Sequence, residues 1–481
     1  MCGIVVINGN NSKEIIKQAL LKIQHRGRDS SRIVELSKEL AIGFNRLSIN
    51  DLSSNGIQPF IYGDYIGVFN AEVYNHEKLR EQFSLKLSSQ SDTAVILPLF
   101  ELLGNEVLHY LDGFYSGIIY HIKTKELLTI RDYIGKKPLF FGTSKCFSFV
   151  TSELKAVDPI LKFKMIPKGI SKIEGRKITL LKKHIFSTSL KINLKDTFIK
   201  AVKKRIPTER FGIFLSGGLD SSIIASIVSK HTKNVQYYTL GNKENDDVKY
   251  VQILCKKLKI SKSLKIISLP SKDEVREMIP KIVFHTESYN PSIISNGLAT
   301  FILAKAATMD NLKVILSGEG ADELFCGYPI SKDIQVWFDK REELIEHLHT
   351  TELRRLDLAS MANTIEVRCP FLDKKVYELA LSYQKEQLID LNEKKGKIIL
   401  REAFRNNLPI EIVERKKISF DVGSGIRKLV VQSLTEYEEN ERTVLKKICG
   451  NFFSHDLLNH DYFHKYPTFD IAINKRGIKH R

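Results

Sequence analysis

The first half of the chain alternates short runs of β-branched and aromatic residues with Gly- and Asn-containing turns. The runs are GIVVING from Gly3, LAIGFNRLSI from Leu40, YIGVFNAEVY from Tyr65, FYSGIIYHI from Phe114 and PLFFGTSKCFSFVTS from Pro138. Apolar runs bounded by turn formers predict strands, so this half is expected to be sheet-rich. From Asp196 the texture changes. DTFIKAVKKRI has helical periodicity, FGIFLS from Phe211 reads as a buried strand, and SSIIASIVSK from Ser221 as a helix. VQYYTL from Val235 and LKIISL from Leu264 continue the alternation. Strand, helix, strand order predicts a helix-rich α/β domain with a parallel, doubly wound sheet. Residues 177–196, KITLLKKHIFSTSLKINLKD, carry no apolar helical stripe and are the expected linker, giving domains of 1–190 and 191–481.

With 43% hydrophobic and 27% charged residues over 481 positions, the composition is that of ordinary globular domains. No basic leader or long apolar run opens the sequence, so a cytoplasmic protein without membrane attachment is expected. The net charge of +18 raises nucleic-acid binding as a rival class. The basic residues are spread over amphipathic stretches such as KAVKKRI and KKLKI, which solvated helix faces explain. Six cysteines show no CxxC pair or zinc spacing and are expected to be reduced core thiols.

Two glycine-rich strings carry chemistry. SGGLDSS at 216–222 follows a predicted strand and precedes a predicted helix. Gly217 and Gly218 allow a tight turn close to an anion, the helix N-terminus offers free N–H groups, and Ser216, Ser221 and Ser222 add hydroxyls. No Lys follows the glycines, which excludes the Walker pattern, and Asp220 supplies a carboxylate for magnesium instead. LSGEGADELFCGY at 316–328 follows the strand-like KVIL, so both loops are expected to face one crevice at the carboxyl ends of strands. SGGLDSS resembles the PP-loop of ATP pyrophosphatases. The second string, with EVRCPFLD, GKIILR and RKKISFDVGSG, resembles the synthetase domain of the asparagine synthetase family. That resemblance implies ATP held by Leu215, Ser216, Gly217, Gly218, Asp220, Ser221, Ser222, Ser317 and Gly318. It also implies Mg2+ on Asp220 and Asp322, Glu319 as the base toward ammonia, and Lys417 as the cation at the reacting phosphorus. Arg368 and Asp357 are weaker matches, equally readable as structural ion pairs.

At the other end, Cys2 becomes N-terminal once Met1 is removed, and its α-amine can then accept the thiol proton. Alone, such a cysteine reads equally as a small buried hydrophobe opening a strand. MCGI, HRGRDS, NRLSI, FNAEVYN, SDT, LDG and RDYIGKKPLF, however, follow the order and spacing of class II glutamine amidotransferases, which implies an N-terminal αββα Ntn-hydrolase sandwich. The resemblance implies Arg46 on the glutamine carboxylate, Glu72 with Asp92 on its ammonium, and Asn70 with the N–H of Ala71 as the oxyanion hole. Three positions depart from the family pattern: Ala71 in NGE, Arg28 in HRGPD and Cys326 in ELFGGY. Ala71 is expected to weaken glutamine turnover, by resisting a positive φ or by crowding the substrate. The whole implies glutamine-dependent conversion of aspartate to asparagine with cleavage of ATP to AMP and diphosphate, with a homodimer as the expected assembly. An amidoligase for another carboxylate, a mainly ammonia-dependent enzyme, or a nucleic-acid binder or inactive scaffold stay open as alternatives.

Overall fold

The computed structural model describes residues 2–187, 192–435 and 439–465. It divides into two compact units, Met1–Phe186 and Ser187–Arg481.

The first unit holds two six-stranded antiparallel sheets. One runs, in spatial order, Lys162–Met165, Phe140–Thr143, Phe147–Thr151, Gly3–Gly9, Leu40–Arg46 and Ser30–Glu35. The other runs Lys177–Lys182, Gly169–Glu174, Leu127–Arg131, Gly113–His121, Tyr65–Val73 and Phe60–Tyr62. Side chains of a strand alternate between faces, and that alternation builds both cores. Ile66 and Val68 meet Ile4, Val6, Ile42 and Phe44 between the sheets. Phe69, Ala71 and Val73 point the other way, under Val95, Leu97 and Phe100 at the helix Ile96–Leu103. On the outer face of the first sheet, Ile16 and Leu20 of the helix Ser12–Lys22 press so closely on Gly43 that a Cβ there would lie 2.8 Å from Leu20. The layers are therefore helix, sheet, sheet, helix.

Residues 177–182 correct the expected linker. They form an edge strand that pairs antiparallel with Gly169–Glu174 across a turn at Gly175, whose φ is +57°. ITLLK has a strand's alternation on a half-buried edge, which a search for a helical stripe passes over. At the linker's other end Asn193 caps the helix Leu194–Lys203, its side chain accepting the N–H of Asp196 at 3.0 Å. Residues 188–191 lie outside the described residues.

The second unit is built on a parallel five-stranded sheet in the order Leu264–Ile267, Val235–Leu240, Phe211–Phe214, Val314–Leu316, Glu366–Arg368. Strand order reverses between Phe211–Phe214 and Val314–Leu316, and right-handed crossovers then place helices on both faces. The apolar helix Pro291–Met309 is long enough to cross a membrane, yet two-thirds of it is buried in this unit, which makes it a core helix.

Candidate active sites

Cys2 sits at the start of the first strand, buried, with its backbone N donating to Asn70 Oδ1 at 2.9 Å. Asn70 lies on the facing sheet, so the contact spans the sandwich. Its amide Nδ2 is buried without a partner among the described residues, a donor aimed at the neighbourhood of the cysteine. Along this strand Phe69 N donates to Gln58 Oε1 at 2.6 Å and Val73 N to Asp92 Oδ2 at 2.7 Å. N–H direction alternates along a strand, so the N–H of Ala71 faces the same edge as those two. Ala71 departs from both expected handicaps. Its φ lies outside the left-handed region, and its methyl joins the helix-side cluster, away from the face that carries Asn70.

Cys2, Arg46, Ala71, Glu72 and Asp92 line one small pocket, together with Asn50. Arg46 Nη1 donates to Ser53 O at 2.7 Å and Nη2 to Asp51 O, leaving further N–H groups of the fork for a ligand. Asp92 accepts Asn50 Nδ2 at 3.0 Å besides the N–H of Val73. Three supporting residues escaped the sequence reading. Gln58 pairs with both N and O of Phe69 and thereby replaces a strand partner. Asp51 gathers Ser53, Ser89 and Gln90; burial opposes its charge, but these hydrogen bonds pull it down to about 2. Glu153, fully buried, binds Arg26 at 2.6 Å, Lys155 at 2.6 Å and His25 at 2.9 Å, while Arg26 Nε donates to Cys2 O. Desolvation would raise Glu153, yet Lys155, His25 and Arg26 around it hold it well below the carboxylate range. Of HRGRD, then, Arg26 fixes the Cys2 backbone and His25 joins it on Glu153, Gly27 permits close approach to Asn45 and Arg46, and Arg28 is exposed, which accommodates that departure.

In the second unit the two loops meet at the switch point. Leu215 is buried and enters by its backbone, its N–H bonding Tyr238 O at 2.8 Å. Gly217 adopts φ +65°, and a Cβ there would lie 2.6 Å from Tyr250 Cβ, so the tight turn needs glycine. Ser216 and Ser221 hydroxyls lie 3.3 Å apart. The helix Leu219–His231 starts at Gly218 without a side-chain cap, leaving its first N–H groups for an anion. Ser222 is fully buried, its hydroxyl unpartnered among the described residues. On the neighbouring strand, Ser317 N donates to Arg368 O, and Gly318 packs so tightly on Asp220 that a Cβ would come within 2.8 Å of it. Both strings thus face one crevice.

Charge organises that crevice. Lys397 Nζ bridges Asp220 at 2.6 Å and Asp322 at 2.7 Å, and Lys417 Nζ reaches Asp322 at 2.7 Å. Lys397 belongs to GKIILR but carried no assigned role; it holds a left-handed φ of 62°, with its backbone N–H bonded to Phe325 O at 2.9 Å. Burial raises Asp220, Lys397 offsetting it, whereas in Asp322 the two lysines outweigh burial and hold it at about 2. Asp220 Oδ1 is buried with no hydrogen-bond partner among the described residues. Two hard carboxylates, one with an orphaned oxygen, fit a magnesium ion that takes its other ligands from phosphates and water. Glu319 pairs with Arg355 at 2.8 Å; desolvation pushes it up to about 7 against the pull of Arg355. Tyr328 donates to Glu323 at 2.9 Å. Arg368 is not part of this group, being paired with Glu366 at 2.8 Å and with Arg205 O, and Asp357 is buried within the helix Glu352–Met361. Cys326 takes φ +55°, the left-handed region for which glycine is suited. Among the described residues no disulfide joins the six cysteines, of which Cys146 is the exposed one.

Comparison with known proteins assigns both units. The glutamine amidotransferase domain family matches residues 1–207, and the asparagine synthase family matches residues 193–346 and 342–460. A probable glutamine-hydrolysing asparagine synthetase of Dictyostelium discoideum is 30% identical over 92% of this chain and 88% of its own. One from Acanthamoeba polyphaga mimivirus is 27% identical over 99% and 94%, and asparagine synthetase 2 of Oryza sativa subsp. japonica is 30% identical over 88% and 78%. The chain, with its amidotransferase unit followed by an ATP-loop unit, belongs to the glutamine-hydrolysing asparagine synthetase family.

Proposed function

We propose that this chain converts aspartate, glutamine, ATP and water to asparagine, glutamate, AMP and diphosphate. The observation that carries the reading is one chain holding both a Cys2–Asn70 pair with an orphaned amide donor and an Asp220–Lys397–Asp322–Lys417 cluster at a sheet switch point.

At Cys2, the α-amine freed by loss of Met1 takes the thiol proton, and sulfur attacks the glutamine amide. Asn70 Nδ2 and the N–H of Ala71 receive the developing oxyanion, which in such sites is worth about 10² to 10³ in rate per donor. Arg46 anchors the substrate carboxylate and Glu72 with Asp92 its ammonium. Ammonia leaves, and water then releases glutamate from the thioester.

In the second unit, the loop 215–222 with Ser317 and Gly318 cradles the ATP phosphates. Asp220 and Asp322 would hold Mg2+, which supplies charge neutralisation on the phosphates when bound. Lys417 and Lys397 lie where phosphate oxygens would arrive and would exchange carboxylate partners for them. The aspartate side chain attacks the α-phosphorus, diphosphate leaves, and ammonia displaces AMP from the acyl-adenylate. A base near neutrality suits the last step, and Glu319, pushed up to about 7, is the group so poised. A cytoplasmic location and a homodimer go with this reading. The test is ATP with a panel of carboxylates and no nucleic acid, following diphosphate and AMP. Aspartate alone is expected to trigger release; preference for another carboxylate would reassign the acceptor, and release only with nucleic acid would overturn the reading.

A further inference from the structure

The first turn of the helix Glu352–Met361 does two unrelated things with adjacent arginines. Arg355 points to Glu319 at 2.8 Å and also pairs with Glu352. Arg354 is fully engaged elsewhere. Its Nε and Nη2 donate to Thr286 O at 3.1 and 2.9 Å, Nη2 also reaches Glu287 O, and Nη1 reaches Tyr462 O. Its guanidinium carbon lies 3.4 Å from the centre of the Tyr462 ring. The helix has no side-chain cap at Thr351, so these contacts are what ties its first turn down on this side.

Tyr462 belongs to the last described stretch of the chain, and that stretch is fastened to the same loop several times. Tyr462 Oη donates to Glu287 at 3.2 Å, Ser288 Oγ and Tyr289 N donate to Phe463 O at 2.9 and 3.0 Å, and Asn290 Nδ2 donates to His464 O at 2.9 Å. Asn290 in turn caps the helix Pro291–Met309. A flat guanidinium sandwiched between three carbonyls and an aromatic face has one orientation, which a lysine cannot reproduce.

We propose that Arg354, seated on the C-terminal segment 462–464, is a positioning residue for amide formation, acting through Arg355 on Glu319. Residues 462–464 thereby support the synthetase site through Arg354 without belonging to its reacting groups. This rests on Glu319 as the base toward ammonia. Misplacement of a reacting group by about 1 Å costs on the order of 100-fold, whereas the phosphate loop lies on other elements.

The test uses the full chain with Arg354→Lys, Tyr462→Leu and Tyr462→Phe, comparing ammonia-dependent amide formation with aspartate-dependent diphosphate exchange. Arg354→Lys and Tyr462→Leu are expected to lower kcat for the amide by about 10- to 100-fold with exchange within about twofold. Tyr462→Phe, which keeps the ring and the carbonyl, is expected to stay near wild type. Parallel loss of both reactions, or no loss in either, would overturn the inference; if Arg354→Lys fails to fold, Tyr462→Leu decides. Glu319→Gln in the same assay separates the two claims. Full amide formation there sinks the base assignment, while its loss alongside unaffected Arg354 and Tyr462 variants sinks only the positioning role.

Discussion

The two sites are stabilised in opposite ways. Around Cys2 the donors that would meet the oxyanion are neutral and held by hydrogen bonds, Asn70 across the sandwich and Ala71 on a strand edge, while Arg46, Glu72 and Asp92 would meet only the charged ends of the substrate. A second charged group, Glu153 with Arg26, Lys155 and His25 around it, lies behind Cys2. In the crevice of the second unit the carboxylates proposed for Mg2+ are themselves paired, with lysines that a polyphosphate would claim. A preformed neutral hole costs little reorganisation, whereas a charge cluster must exchange partners as its ligand enters. One site is therefore sensitive to shape and the other to charge balance.

The comparison breaks most sharply at Cys2, the proposed nucleophile. Cys2→Ala is expected to lower glutamine-dependent synthesis by at least about 10³-fold, as loss of a covalent nucleophile does, with ammonia-dependent synthesis within about twofold. Product from glutamine at the wild-type rate would remove Cys2 from the chemistry.

Glu319→Gln should cost about 10² to 10³ in amide formation while aspartate-dependent diphosphate exchange persists. The same residue fixes a pH profile. A carboxyl whose pKa is raised to about 7 is a base only above that value, so ammonia-dependent kcat should fall as pH drops through about 7. The folded-state rise also costs stability above the ordinary carboxylate pKa, a cost relieved at lower pH, so activity and stability should move oppositely there. A kcat flat from pH 6 to 8 would exclude Glu319.

Much of this was legible from residue types. SGGLDSS and GEGADE identify their loops because a strand, a glycine turn and a helix N-terminus must coincide for phosphate binding, and the coincidence is local in sequence. Lys397, Glu153 and Gln58 were not legible, because their partners lie 177, 127 and 11 residues away and nothing about a lone Lys, Glu or Gln announces them. The strand Lys177–Lys182 was missed for a related reason: an edge strand with one half-buried face has a weak pattern, and its pairing, not its composition, defines it.

Lys397→Met sharpens the contrast by a smaller, two-sided effect. Removing the cation leaves Asp220 and Asp322 facing each other in a buried site, which should destabilise the second unit by about 3 to 5 kcal/mol. The thermal midpoint should fall at pH 7 and recover as pH falls and the carboxylates protonate. Added Mg2+ should restore part of it without ATP, since the cation replaces the ammonium between the carboxylates. A midpoint equal to wild type would mean that Lys397 merely visits the pair.

The smallest expected effect is at Ala71, where geometry reverses the expectation from sequence. Ala71 lies in a strand paired to Tyr115, outside the left-handed region, so glycine's freedom has no use there. Its methyl packs with Phe69, Val73 and Val95 on the helix side, while Asn70 and Glu72, on alternate positions, occupy the opposite face. What the proposed oxyanion hole would take from residue 71 is its N–H, which alanine supplies as well as glycine does. Ala71→Gly therefore removes a packed methyl and adds unfolded-state freedom, a loss of about 0.5 to 1 kcal/mol in stability. The kcat for glutamate release should stay within about twofold of wild type, far from the 10² to 10³ attached to a lost oxyanion donor. A rise well beyond that range in the glycine variant would show that the methyl does crowd the substrate and that the strand moves when glutamine binds.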